Sequence, residues 1–114
     1  GMNRARTDQL VAKFREAARA AGDQITTALQ DQDLAQIVAV SHKLKSSSRA
    51  VGALALGDAC ARLEEDAKNR NNPMVEESVA VFLLTLDATL EILAAHAEGQ
   101  GKDDGRTNTD TDGR

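Results

Sequence analysis

The chain has 114 residues, a formal net charge of −4 at pH 7, 41% hydrophobic residues and 2% aromatic ones. That length holds one domain, and a core almost without aromatics must be built from Leu, Val, Ile and Ala, which favours helix packed on helix over sheet. The acidic balance and the missing stacking rings exclude the footprint of a nucleic-acid binder.

No apolar run approaches the length needed to span a bilayer. No basic start followed by an apolar stretch marks a secretory leader. The expected setting is therefore the cytoplasm, with no membrane partner. The single cysteine, Cys60, has no mate for an internal disulfide and fits a reducing compartment. Gly1-Met2 reads as a remnant of tag removal ahead of a natural start, so Gly1 is left out of the fold argument.

In chain order, the first predicted helix covers residues 8–30. Leu10, Phe14, Ala17, Ala21, Ile25, Ala28 and Leu29 recur at steps of three and four. Thr7 is its expected cap. Gly22 is a weak point, but the stripe continues in phase across it, so one helix is expected. Asp33 caps the second helix, with Gln36 completing a capping box. That helix runs to about Val51, and Gly52 terminates it. The third extends from Leu54 to Asn69 with Leu56, Cys60, Leu63 and Ala67 on one stripe. The run NRNNP is the clearest break, with Asn72 as cap and Pro73 at the first helical position. The fourth helix turns Val75, Val79, Phe82, Leu83, Leu86, Leu90, Leu93 and Ala97 inward.

Residues 98–114, EGQGKDDGRTNTDTDGR, contain four glycines and no sizeable apolar side chain. Burial there cannot offset the entropy of ordering, so a flexible tail is expected. Four amphipathic helices with short connections predict an all-α, antiparallel four-helix bundle over residues 2–97, followed by the polar tail 98–114.

The segment 41–53, SHKLKSSSRAVGA, is unusual for an acidic chain. No acid lies between Leu34 and Gly57, and a histidine sits among lysines, an arginine and three consecutive serines. At roughly 100° per residue, Ile37, Val40, Leu44, Ser47 and Val51 form the expected core stripe, with His42 roughly opposite and facing solvent. Ala35, Val38, Ala39, Lys45, Ser46 and Arg49 lie within roughly 60° of His42. Small apolar residues beside an exposed imidazole suggest a docking surface, and the cations suggest that something anionic is held there. An incidental surface histidine is the plainer alternative.

Other chemistries fit poorly. His96 and Cys60 have no ligand spacing with His42, so no metal site is expected. A serine nucleophile would need a base and an orienting carboxylate, and this segment has no acid. The serine run reads as a way to keep side chains small, with Ser47 toward the core. Gly52 and Gly57 make no phosphate cradle. A role that needs only one imidazole is phosphoryl carriage, since neutral imidazole is a nucleophile. It requires exposure, small neighbours and nearby cations, and all three surround His42.

The residues HKLKSSSRAVGALAL, followed by ARLE, resemble the histidine-containing phosphotransfer (HPt) domain. The matching positions are His42, Leu44, Lys45, Ser46, Ser47, Gly52, Leu63 and Glu64, with Phe14 and Asp33 upstream. The resemblance covers roughly residues 8–95. It implies a four-helix bundle with His42 as phosphoacceptor and Lys45 beside the phosphoryl group. Ser46 stands where many members have Gly, and Lys43 sits at the rim. Ala35, Val38, Ala39, Lys43 and Arg49 would form the docking surface. The chain would be a phosphoryl carrier rather than an enzyme, acting as a monomer and binding no cofactor. Its partners would be response-regulator receiver domains, which bring Mg²⁺, and a hybrid histidine kinase.

Two rivals stand beside this. A histidine-kinase dimerisation domain typically follows its His with an acid and has Pro five residues on, where Lys43 and Ser47 stand here. A helical interaction module without phosphoryl chemistry would carry its histidine incidentally.

Overall fold

A computed structural model of the chain describes residues 2–106, with side-chain surroundings for residues 4–96. Three tight turns divide it into four helices: α1 (Met2–Gln30), α2 (Leu34–Ala50), α3 (Leu54–Lys68) and α4 (Asn72–Arg106). No strand occurs among the described residues.

The turns share one device. At the end of α1, Gln32 has φ 57°, and Asp33 N–H donates back to Ala28 O at 2.8 Å. At the end of α2, Gly52 has φ 84°, and Ala53 N–H donates to Ser48 O at 2.8 Å. At the end of α3, Arg70 has φ 57°, and Asn71 N–H donates to Asp66 O at 3.3 Å. A left-handed residue followed by a long back-bond satisfies the last carbonyls of a helix and stops it. Asp33 is the cap of α2, its Oδ1 accepting from Gln36 N–H at 3.1 Å. The cap of α4 is Asn71 rather than Asn72: its Oδ1 accepts from Met74 N–H at 3.3 Å. Asn72 and Pro73 are drawn into the first turn instead.

Each helix packs on two others: α2 on α3, α3 on α4, and α1 on both α2 and α4. The core runs through Phe14, Ile25, Ile37, Leu56, Leu63, Val75 and Phe82. The α3 stripe Leu56, Cys60, Leu63 and Ala67 is buried throughout. Helix α1 is continuous through Gly22. A Cβ at Gly22 would lie 2.7 Å from Leu86 Cδ2, so the glycine admits close approach of α4.

Several expectations are corrected. Helix α1 begins at Met2, so Thr7 lies inside it and is not its cap. Leu10, 60% exposed, and Ala17 are off the core, and Ala18 takes the buried place. The buried face of α2 is Ile37, Ser41, Leu44 and Ser48, with Val40, Ser47 and Val51 only half-buried. The stripe is therefore turned by roughly 50° toward α3, and His42 lies on its flank, roughly 130° from its centre.

Helix α4 continues to Arg106, past the boundary expected after residue 97. Extending an existing helix by one residue adds a hydrogen bond without a new nucleus. Residues 107–114 of the expected tail, and the inward placement of Ala97, lie outside the described residues and side chains.

The expectation that no segment reaches bilayer length is also corrected. Asn72–His96 is long and apolar enough to cross a membrane by length and composition. One face of that segment, Val75, Val79, Phe82, Leu86 and Leu90, is buried in the core. Leu84 and Ile92 are exposed on another.

Candidate functional site

The site forms where α2 and α3 lie against each other, and small residues let them approach. Ser41 and Ser48 are fully buried on α2. The Ser41 hydroxyl donates to Ile37 O at 2.6 Å, which satisfies it within its own helix. On α3, Gly57 is buried beneath Arg49; a Cβ there would meet Arg49 Cγ at 3.1 Å. Polar but small, the serines are invisible to a hydrophobic pattern, which explains the shifted stripe.

His42 sits at the rim of this contact with 63% of its side chain exposed. Its Nδ1 lies 2.9 Å from Glu64 Oε2 on α3. Glu64 is itself buried, at 5% exposure. Lys45 Nζ donates to Glu64 Oε1 at 2.8 Å, and Lys68 Nζ lies 3.2 Å from Oε2. A buried carboxylate is tolerable only when paired and hydrogen-bonded, and this one has three partners. The hydrogen bond from Lys45 is the main cause holding the Glu64 carboxyl down at about 2; Lys68 and His42 add to it, against burial, which raises it. Glu64 is thus an anion at neutral pH and can only accept. Nδ1 must then carry the proton, which leaves the Nε2 lone pair as the nucleophilic one. Nε2 has no protein hydrogen-bond partner among the described residues.

The remaining predicted residues surround the ring unevenly. Ser46, Ala35, Ala39 and Lys43 are exposed. Val38 is half-buried and packs against the core. Lys45 does not stand free beside the imidazole but is turned into Glu64, with 22% of its side chain exposed. Arg49 pairs with Asp58 at 3.7 Å. Ala39 and Lys43 also line a groove between α1 and α2, of about 350 Å³, with Ala17, Ala20, Val40 and Ser47. His96 is exposed on α4. Cys60 is buried, and burial pushes its thiol up to about 12, so it stays protonated and inert. Among the described residues, no group of three or more His, Cys, Asp or Glu side chains could hold a metal ion.

Two contributors escaped the sequence reading. Glu64 entered only as part of a matched pattern, with no role, because the acid-free segment around His42 hid a carboxylate supplied by another helix. Lys68 was missed entirely. Its signal is the spacing to Glu64: four residues apart on one helix, the two side chains are neighbours.

The site is thus an exposed imidazole held through Nδ1 by a buried carboxylate with lysines around it, and comparison with known protein families adds one finding. The model described as Hpt domain matches residues 9–100. No curated protein and no solved structure matches the chain. The family match covers most of the chain, including both α2 and α3, and the chain belongs to the Hpt domain family.

Proposed function

We propose that this protein is a histidine phosphotransfer protein of a two-component phosphorelay, carrying a phosphoryl group on His42 between receiver-domain aspartates. Membership of the family implies histidine phosphotransfer with receiver domains and kinases, by a phosphoryl carrier rather than a catalyst. The observation that carries the assignment to His42 is its hydrogen bond to Glu64, with Nε2 directed away from that bond.

In the reaction, the Nε2 lone pair attacks phosphorus while the bond to the aspartyl oxygen breaks and the carboxylate leaves. The ring gains positive charge because Nδ1 keeps its proton. Glu64, hydrogen-bonded to that proton, stabilises the charged ring. Return of the phosphoryl group to a second aspartate reverses the electron flow. Mg²⁺ would come with the receiver, and no cofactor is assigned to this chain.

The receiver would dock over Ala35, Val38, Ala39, Lys43, Ser46 and Arg49, with the α1–α2 groove beside them as the place for an apolar contact. Short turns and neighbour-to-neighbour packing support an antiparallel four-helix bundle over residues 2–97, with 98–114 as a polar appendage. We read the protein as acting as a monomer. The core-facing stripe of α4 supports reading it as a helix of the bundle core, and a cytoplasmic location is the expectation for a member of this family. A hybrid histidine kinase is the expected source of phosphoryl groups.

Incubation with a phosphorylated receiver domain tests this. The protein should acquire a label that is lost in acid and kept in base, as a phosphoramidate is. A label with the reverse stability, or none, would contradict the assignment.

A further inference from the structure

The two lysines that flank Glu64 hold different environments. Lys45 bonds Oε1, the oxygen that His42 does not use, and only 22% of its side chain is exposed. Lys68 shares Oε2 with the imidazole, at 3.2 Å from that oxygen against 2.9 Å for Nδ1. Its side chain is 56% exposed, at the outer rim of the cluster. Lys45 is thus enclosed and committed, whereas Lys68 is close to the ring and can swing. Lys43 is exposed toward the α1–α2 groove, and Arg49 is drawn toward Asp58.

We propose that Lys68 is the cation that turns to the phosphoryl group once His42 carries it, while Lys45 is a positioning residue that keeps Glu64 in place. The proposal rests on phosphoryl carriage by His42. A phosphorylated ring brings new anionic oxygens beside Oε2. With the ring positively charged, Glu64 keeps its bond to Nδ1 and its bond to Lys45. Lys68 then exchanges a shared carboxylate oxygen for phosphoryl oxygens, a charge-assisted contact of the stronger kind. Electron density drawn onto those oxygens is withheld from expelling the imidazole, so the contact should lengthen the life of the phosphohistidine.

The full chain and its variants can be charged with phosphoramidate, a small donor that loses ammonia as Nε2 bonds phosphorus. The site of the label is checked by acid lability and peptide mass. Lys68→Gln should take the label on His42 and keep the Nδ1–H tautomer, read from ring ¹⁵N signals, with helical circular dichroism as the control for folding. Its phosphohistidine half-life should shorten on the order of fivefold, and Lys68→Arg should restore most of it. Lys45→Gln should instead disturb the tautomer of the uncharged protein. An unchanged half-life in Lys68→Gln, with the label on His42, would overturn the assignment of Lys68 alone. So would a half-life shortened only by Lys45→Gln. A wild-type protein that takes no label on His42 would overturn phosphoryl carriage and this proposal with it.

Discussion

At the scale of single residues, Glu64 is the group on which the site depends, and its titration gives a signed prediction. Its carboxyl is held at about 2, below its ordinary 4.5, mainly by the hydrogen bond from Lys45. The folded state therefore favours the anion. The stability this confers is complete above about pH 4.5 and is lost as the pH falls toward 2. Wild type should be more stable than Glu64→Gln at neutral pH, and the gap should close between those two values in denaturant melts. A gap that stayed constant down to pH 2 would mean that the carboxylate contributes nothing by its charge. A second residue behaves oppositely. The Ser48 hydroxyl is fully buried and has no hydrogen-bond partner among the described residues. Removing an unsatisfied buried hydroxyl relieves a desolvation cost of about 1 kcal/mol or more. Ser48→Ala should therefore raise the urea midpoint, and a lowered midpoint would show that the hydroxyl is satisfied in solution. The exposure of His42 was legible from sequence because its helix segment is so distinctive. Glu64's role was not, since a contact between residues 22 positions apart depends on how α3 lies on α2.

At the scale of elements, the stops were more legible than the faces. Gly52 and Asp33 follow local rules, and both do what those rules require. Gln32 and Arg70 do not advertise themselves, because neither is the glycine that a left-handed position favours. Two substitutions separate these cases. Gly52→Ala meets no atom within 4 Å, so its whole cost is conformational, about 1 kcal/mol of destabilisation. Gln32→Gly removes strain of the same kind and should stabilise by up to about 1 kcal/mol, less the entropy that glycine adds to the unfolded chain. Thermal melts of the pair should move in opposite directions. Equal shifts of one sign would mean that the turn does not hold these angles in solution. The face of α2 was misjudged for a related reason. Helices brought together by Ser41, Ser48 and Gly57 are joined through small polar or bare positions, and a count of apolar side chains follows Val40 and Val51 instead.

At the scale of the whole molecule, the fold gathers onto one rim groups that are far apart in sequence. Helix α2 brings the imidazole of His42, and α3 brings the carboxylate bonded to its Nδ1 and a cation beside it. The long helices α1 and α4 complete the core behind them. The central claim is that His42, and no other residue, accepts the phosphoryl group. Transfer from a phosphorylated receiver to His42→Gln and His96→Gln proteins tests it most directly, with helical circular dichroism as the control for folding. His42 is exposed, so its loss leaves no cavity in the core. Gln keeps helix propensity but offers only a delocalised amide nitrogen, and a lysine ammonium has no lone pair to give. The account predicts a folded His42→Gln protein with no acid-labile label and a His96→Gln protein labelled as wild type. Full labelling of His42→Gln, or loss of label in His96→Gln alone, would contradict it.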